Sequence, residues 1–217
     1  MRKSSDPPMR IDRLRGLYAV TPDEGDTGRL STMVDAAIAG GATAVQYRNK
    51  AASQALRREQ AGVRARLCLK RGALLIVNDD AGLAGEVDAD GVHIGEDDGA
   101  IDAARAQLGR DRIVGVSCYD DPGRARTLAA AGADYIAFGS FFASRVKPGA
   151  RHAEVSLIRG AKSLGVPVVA IGGITSHNAP VLVEAGIDAV AVISDVFAHD
   201  DPADVTRAAA RIAACFG

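Results

Sequence analysis

The chain has 217 residues, short for two domains and near the lower end for a single β/α barrel. Apolar residues make up 47% and aromatics only 4%, with no Trp, so the core must be built from Ala, Val, Ile and Leu. A net charge of −1 excludes bulk electrostatic attraction to nucleic acid or an anionic membrane, and any anion site must be local.

The chain opens on a basic, polar stretch without the apolar run of a signal peptide, and residues 1–10 read as a loose tail before one domain over 11–217. The first strand is expected at 17–21. A helix over 30–39 follows, with Leu30, Val34, Ala37 and Ile38 on one stripe. Further strands are expected at 44–48, 74–78, 91–94, 113–117 and 135–139. A helical pattern over 154–164 leads to strands at 168–172 and 189–194, and a helix over 202–216 closes the chain. Several strands, such as Leu74-Leu75-Ile76-Val77 and Val168-Val169-Ala170-Ile171, are continuous apolar runs, as in parallel sheets covered on both faces. Gly40, Gly132, Gly165 and Gly186 stand where a left-handed helix stop is expected. Eight strands alternating with helices predict a single-domain (β/α)8 TIM barrel. The other candidate, an open doubly wound sheet, is disfavoured because no Gly-x-Gly-x-x-Gly follows the first strand.

In such barrels the C-terminal strand ends carry the chemistry. Gln46, Arg48 and Lys50 alternate at the end of the second strand, so an extended segment puts all three on one face. Two cations and an amide suit a polyanion such as diphosphate, and a solvated strand end would read the same. Asn78-Asp79-Asp80 closes the third strand, and Glu96-Asp97-Asp98 follows the fourth. Carboxylates beside phosphates are the protein's usual share of a Mg²⁺ site, but Asp is also a strong helix N-cap, and Asp80 before Ala81-Gly82-Leu83 is placed for that role. Ser117 ends the fifth strand. Gly172-Gly173 follows the seventh, and Ile193-Ser194 lies at the end of the eighth, the usual phosphate position of this fold. Lys147 sits in a basic loop with Arg145 and Arg151 that is suited to closing over an anion. His93 reads as a packed barrel residue, and His152, His177 and His199 form no ligand cluster with it. Cys68, Cys118 and Cys215 are too far apart for metal spacing and too few for a disulfide framework, which points to a reducing cytoplasm; Cys118 has no evident base beside it.

The segments VQYRNK, IVNDD, GVHIGEDD, VGVSC, YIAFGSFFASRVKPGA, VVAIGGI and AVAVISDVF, in this order, resemble the thiamine-phosphate synthase family from Leu17 to the C-terminal helix. The resemblance implies a cytoplasmic transferase that joins 4-amino-2-methyl-5-hydroxymethylpyrimidine diphosphate to 4-methyl-5-(2-phosphooxyethyl)thiazole, or its carboxylated form, giving thiamine phosphate and pyrophosphate. It further implies that Gln46, Arg48, Lys50, Asn78 and Lys147 hold the diphosphate and that Asp79 and Asp98 bind Mg²⁺. Ser117 would lie near the pyrimidine and leaving group, with Gly173, Ile193 and Ser194 on the thiazole phosphate. Arg48, Ser117 and Lys147 would serve catalysis. Partners would be these small molecules, with no nucleic acid or membrane; a homo-oligomer is compatible with the family. Where many members read Thr-x-Thr-Lys, this chain reads Ser144-Arg145-Val146-Lys147, so Ser144 keeps a substrate-side hydroxyl while Val146 removes one. A thiazole tautomerase-like homologue, a phosphate-binding aldolase or epimerase, and a non-catalytic thiamine-phosphate sensor are the rival readings. The intact cation and carboxylate set disfavours the tautomerase and the sensor, and a Schiff-base aldolase would want a lysine on a strand inside the barrel, whereas Lys50 and Lys147 lie beyond strand ends.

Overall fold

The computed structural model describes residues 10–95, 101–143 and 152–217. Eight parallel strands close into a barrel in sequence order, and β8 pairs with β1. They are β1 Gly16–Val20, β2 Ala42–Tyr47, β3 Leu74–Asn78, β4 Gly91–Ile94, β5 Ile113–Tyr119, β6 Tyr135–Gly139, β7 Val168–Ile171 and β8 Ala189–Val192. The helices between them are α1 Thr27–Ala39, α2 Gln54–Arg71, α3 Ala81–Glu86, α4 Ile101–Leu108, α5 Pro122–Ala130, α6 Ser156–Ala161, α7 Ala179–Glu184, α8 Ser194–Phe197 and α9 Pro202–Ala213. The predicted strands and the barrel are present; the ends shift by a few residues because β1, β7 and β8 stop before their polar termini. The patterns at 154–164 and 202–216 each break into an α-helix followed by a short 3-10 turn, Lys162–Leu164 and Ala214–Phe216.

Alternation along each strand divides the core into two layers. Val45, Tyr47, Leu75, Val77, Val92, Val114, Val168, Ala170, Val190 and their like face the helices. Tyr18, Val20, Ala44, Leu74, Ile76, Tyr135, Val169 and Ala189 fill the barrel. Ile11 and Leu14 join this inner cluster from the 3-10 turn Arg10–Arg13, just ahead of β1. Most of the expected tail, 1–10, lies outside the described residues; Arg10 opens that turn.

Gly132, Gly165 and Gly186 take the left-handed conformation expected of helix stops, but Gly40 does not, at φ −80°. Gly41, at φ 103°, makes that turn instead. Gly40 serves close approach: a Cβ there would stand 2.4 Å from the Thr206 carbonyl oxygen and 2.6 Å from Ala209 Cβ, where α1 packs on α9.

Candidate active site

The C-terminal rim between β1 and β3 gathers charge. Arg48, past the end of β2, is tied by its backbone: its N–H donates to Thr21 Oγ1 at 2.9 Å and its carbonyl accepts from the same hydroxyl at 2.7 Å. Its guanidinium lies 3.3 Å from Asp23, which also accepts the Lys50 backbone N–H at 2.6 Å. Lys50 Nζ reaches across to Asp79 Oδ2 at 3.3 Å, and Asn78 Nδ2 donates to the same oxygen at 2.5 Å. Asp79 adopts φ 62°, unusual for a residue with a side chain, and its N–H donates to the His93 carbonyl at 2.8 Å. That bond extends the β3–β4 ladder one step and fixes the turn on which the carboxylate stands. Lys50, Asn78 and Asp79 line one cleft with Tyr47, Asn49 and Arg57.

The three alternating residues of the second strand end therefore part company. Arg48 and Lys50 stay at the rim, whereas Gln46 turns into the barrel, is 5% exposed and donates from Nε2 to Tyr18 Oη at 3.0 Å. Asp80 is the N-cap of α3, accepting the Leu83 N–H at 2.8 Å. Ser117 presents its hydroxyl 2.9 Å from His93 Nε2, and its carbonyl accepts from Arg124 Nε at 2.8 Å. Asp98, Ser144 and Lys147 lie outside the described residues, as do Glu96, Asp97, Arg145 and Val146.

On the β7–β8 side the backbone dominates. Gly173, at φ 62°, could not carry a side chain in place: a Cβ would stand 2.3 Å from the Ala143 carbonyl oxygen. The Gly-Gly pair thus lets the loop after β6 lie against the loop after β7, a steric need that sequence reading did not identify. Asn178 Nδ2 donates to the Gly173 carbonyl at 3.0 Å. Ile193 precedes the single turn of α8, which Ser194 opens, and Asp195 accepts the Ser176 N–H at 3.1 Å, joining the β7 and β8 loops. Because β8 neighbours β1, the ends of β7, β8, β1, β2 and β3 form one continuous arc of the rim.

Thr21, Asp23 and Arg57 escaped the sequence reading. The first two had a signal, since Thr21-Pro22-Asp23 directly follows the first strand as the other polar ends follow theirs. Arg57 had none, being one charge among many on α2; its Nε is buried and has no hydrogen-bond partner in the described residues. Cys118 faces the helix layer, and burial pushes its thiol up to about 12, so it is no nucleophile at neutral pH. Among the described residues no three His, Cys, Asp or Glu side chains converge as a metal centre, and no helix is long and apolar enough to cross a membrane.

Comparison with known proteins adds an independent line. The family model described as thiamine monophosphate synthase matches residues 17–196. A thiamine-phosphate synthase of Chromobacterium violaceum is 54% identical over 91% of this chain and 96% of its own length. One from Methylobacillus flagellatus is 51% identical over 93% and 94% respectively. The solved thiamine phosphate pyrophosphorylase of Pyrococcus furiosus superposes with a TM-score of 0.83 at 33% identity, covering 94% of this chain and 96% of that one. The chain belongs to the thiamine-phosphate synthase family, transferases of thiamine biosynthesis.

Proposed function

We propose that the protein condenses 4-amino-2-methyl-5-hydroxymethylpyrimidine diphosphate with 4-methyl-5-(2-phosphooxyethyl)thiazole, or its carboxylated form, releasing pyrophosphate (and CO2 as well from the carboxylated form), in the cytoplasm and with Mg²⁺. The observation that carries this reading is the cleft in which Lys50, Asn78 and Asp79 meet, beside Arg48. Cations, an amide and a carboxylate at neighbouring strand ends match a metal-bound diphosphate better than a lone phosphate monoester.

Asp79 fits a share of a Mg²⁺ site, because such sites take one or two protein carboxylates and complete the shell with substrate oxygens and water. Asp98, outside the described residues, would be the second. When bound, the ion neutralises charge on the diphosphate and lowers the energy of its departure.

The chain's own groups would do the rest. Arg48, Lys50 and Lys147 hold the diphosphate and stabilise charge gathering on it as the methylene C–O bond breaks and both electrons leave with pyrophosphate. Gln46 and Asn78 join them in holding the diphosphate, Ser144 positions a bound substrate, and Ser117 lies near the pyrimidine and the leaving group. The electron-rich pyrimidine carries the resulting positive charge. Gly173, Ile193 and Ser194 fix the thiazole phosphate so that the ring nitrogen donates its lone pair to the cationic carbon. No protein nucleophile is needed. Purified protein should release pyrophosphate and form thiamine phosphate only with both substrates and Mg²⁺ present. Binding of thiazole phosphate without any release would sink this reading and favour a tautomerase or a sensor.

A further inference from the structure

We propose that Tyr18, Tyr135 and His93 form a directional hydrogen-bond chain across the barrel that makes Ser117 a hydrogen-bond donor to the substrate. They would thus be positioning residues for the reaction. The chain joins side chains from β2, β1, β6, β4 and β5. Gln46 Nε2 donates to Tyr18 Oη at 3.0 Å, and Tyr18 Oη lies 3.1 Å from Tyr135 Oη. Tyr135 Oη is 2.8 Å from His93 Nδ1, and His93 Nε2 is 2.9 Å from Ser117 Oγ. The packing is specific: the Tyr18 and Tyr135 rings meet edge to face, while His93 stacks on Tyr135 with an interplanar angle of 21°. Gly115 leaves room for the Tyr135 ring, since a Cβ there would stand 1.9 Å from Tyr135 Cζ.

The direction comes from the Gln46 amide, whose Nε2 faces Tyr18 Oη. An amide N–H can only donate, so Tyr18 accepts from Gln46 and in the proposed chain gives its single proton to its other neighbour, Tyr135. Tyr135 in turn donates to His93 Nδ1. In that sense His93 accepts at Nδ1, carries a proton on Nε2 and donates it to Ser117 Oγ. Ser117, having accepted, has its own O–H to offer outward. Tyr18 and Tyr135 are at most 1% exposed, so bulk water does not substitute for a lost partner, and burial keeps both phenols protonated. Turning the Gln46 amide over would reverse every bond and leave Ser117 an acceptor. The polarity at one wall of the barrel therefore sets the polarity at the other.

This inference rests on the proposed reaction for the substrate that Ser117 faces. The first readout needs no substrate. In ¹⁵N-histidine-labelled protein, His93 should show a protonated Nε2 and a bare Nδ1, and Tyr135→Phe should disturb that state; an Nδ1–H tautomer in the parent protein overturns the proposal. In steady-state assays Tyr135→Phe and His93→Leu should each lower kcat/KM roughly tenfold, the scale of losing a supporting partner behind a ligand. His93→Gln, which can still accept and donate, should restore most of it. Tyr135→Phe should cost nothing further once Ser117 is Ala, whereas additive losses would mean Tyr135 does not act through Ser117. A parent protein that makes no thiamine phosphate would overturn the proposed reaction, and the tautomer measurement would still decide the chain.

Discussion

The two ends of the active arc are built from different materials. Around β1 to β3 the rim speaks through side chains: Arg48 on Asp23, Lys50 and Asn78 on Asp79. Around β7 and β8 it speaks through backbone, with Gly173 pressed under Ala143 and the two loops laced by Asp195 to Ser176. Charged side chains tune the field at a leaving group, whereas a glycine turn fixes shape. Removing the first should damage turnover, and altering the second should damage affinity and stability together.

Substitutions can test that division. Asp79→Asn should have the largest effect, lowering kcat by about 10²-fold or more, as for loss of a preorganised electrostatic group, with little change in melting temperature. Pyrophosphate release across a Mg²⁺ titration would check it, and a normal rate would remove Asp79 from the metal site. Gly173→Ala should raise KM for the thiazole phosphate and destabilise the fold by roughly 1–3 kcal/mol, since it adds both a clash and a left-handed non-glycine residue. Denaturant melts and isothermal titration would separate the two effects; unchanged affinity would contradict the assigned phosphate position. Asp23→Asn should be milder, loosening Arg48 and the Lys50 backbone and raising KM for the pyrimidine diphosphate about threefold to tenfold. Asp80→Ala should be mildest for catalysis, costing about 1 kcal/mol of stability through the lost N-cap while kcat stays within about twofold. A collapse of kcat there would show that Asp80 does more than cap α3.

Those contrasts also explain what the sequence made legible. Strands announced themselves because both faces are covered, so runs such as Leu74–Val77 are apolar throughout. Arg48, Lys50, Asn78 and Asp79 were visible because charge at a strand end stands out against such runs. The Gln46 contact with Tyr18 inside the barrel was not legible, since period-two spacing gives a face but not where the strand ends and the barrel interior begins. The His93 chain was invisible because its members come from β1, β2, β4, β5 and β6, and only barrel closure brings them together. The buried stripe of helix α2 was not legible for a related reason. Its buried stripe is Gln60, Ala61, Arg64 and Cys68 rather than Leu and Val, with Arg64 donating to the Thr27 carbonyl at 3.0 Å and burial pulling its guanidinium down to about 10. No apolar period advertises such a face.

The β1–β8 seam has a consequence for how the chain acquires its shape. Leu17 pairs with Val190, and Thr206 Oγ1 donates to the Ala36 carbonyl at 3.1 Å, so both the sheet and the helical layer are closed by residues made long after the ones they meet. During synthesis β1 emerges before β8 and keeps one edge open until β8 has also left the ribosome. Contacts this distant in sequence come slowly, and an open parallel edge is a template for unwanted pairing. The short length of β1 and the glycine at its start limit that hazard while the nascent barrel waits for its final stave.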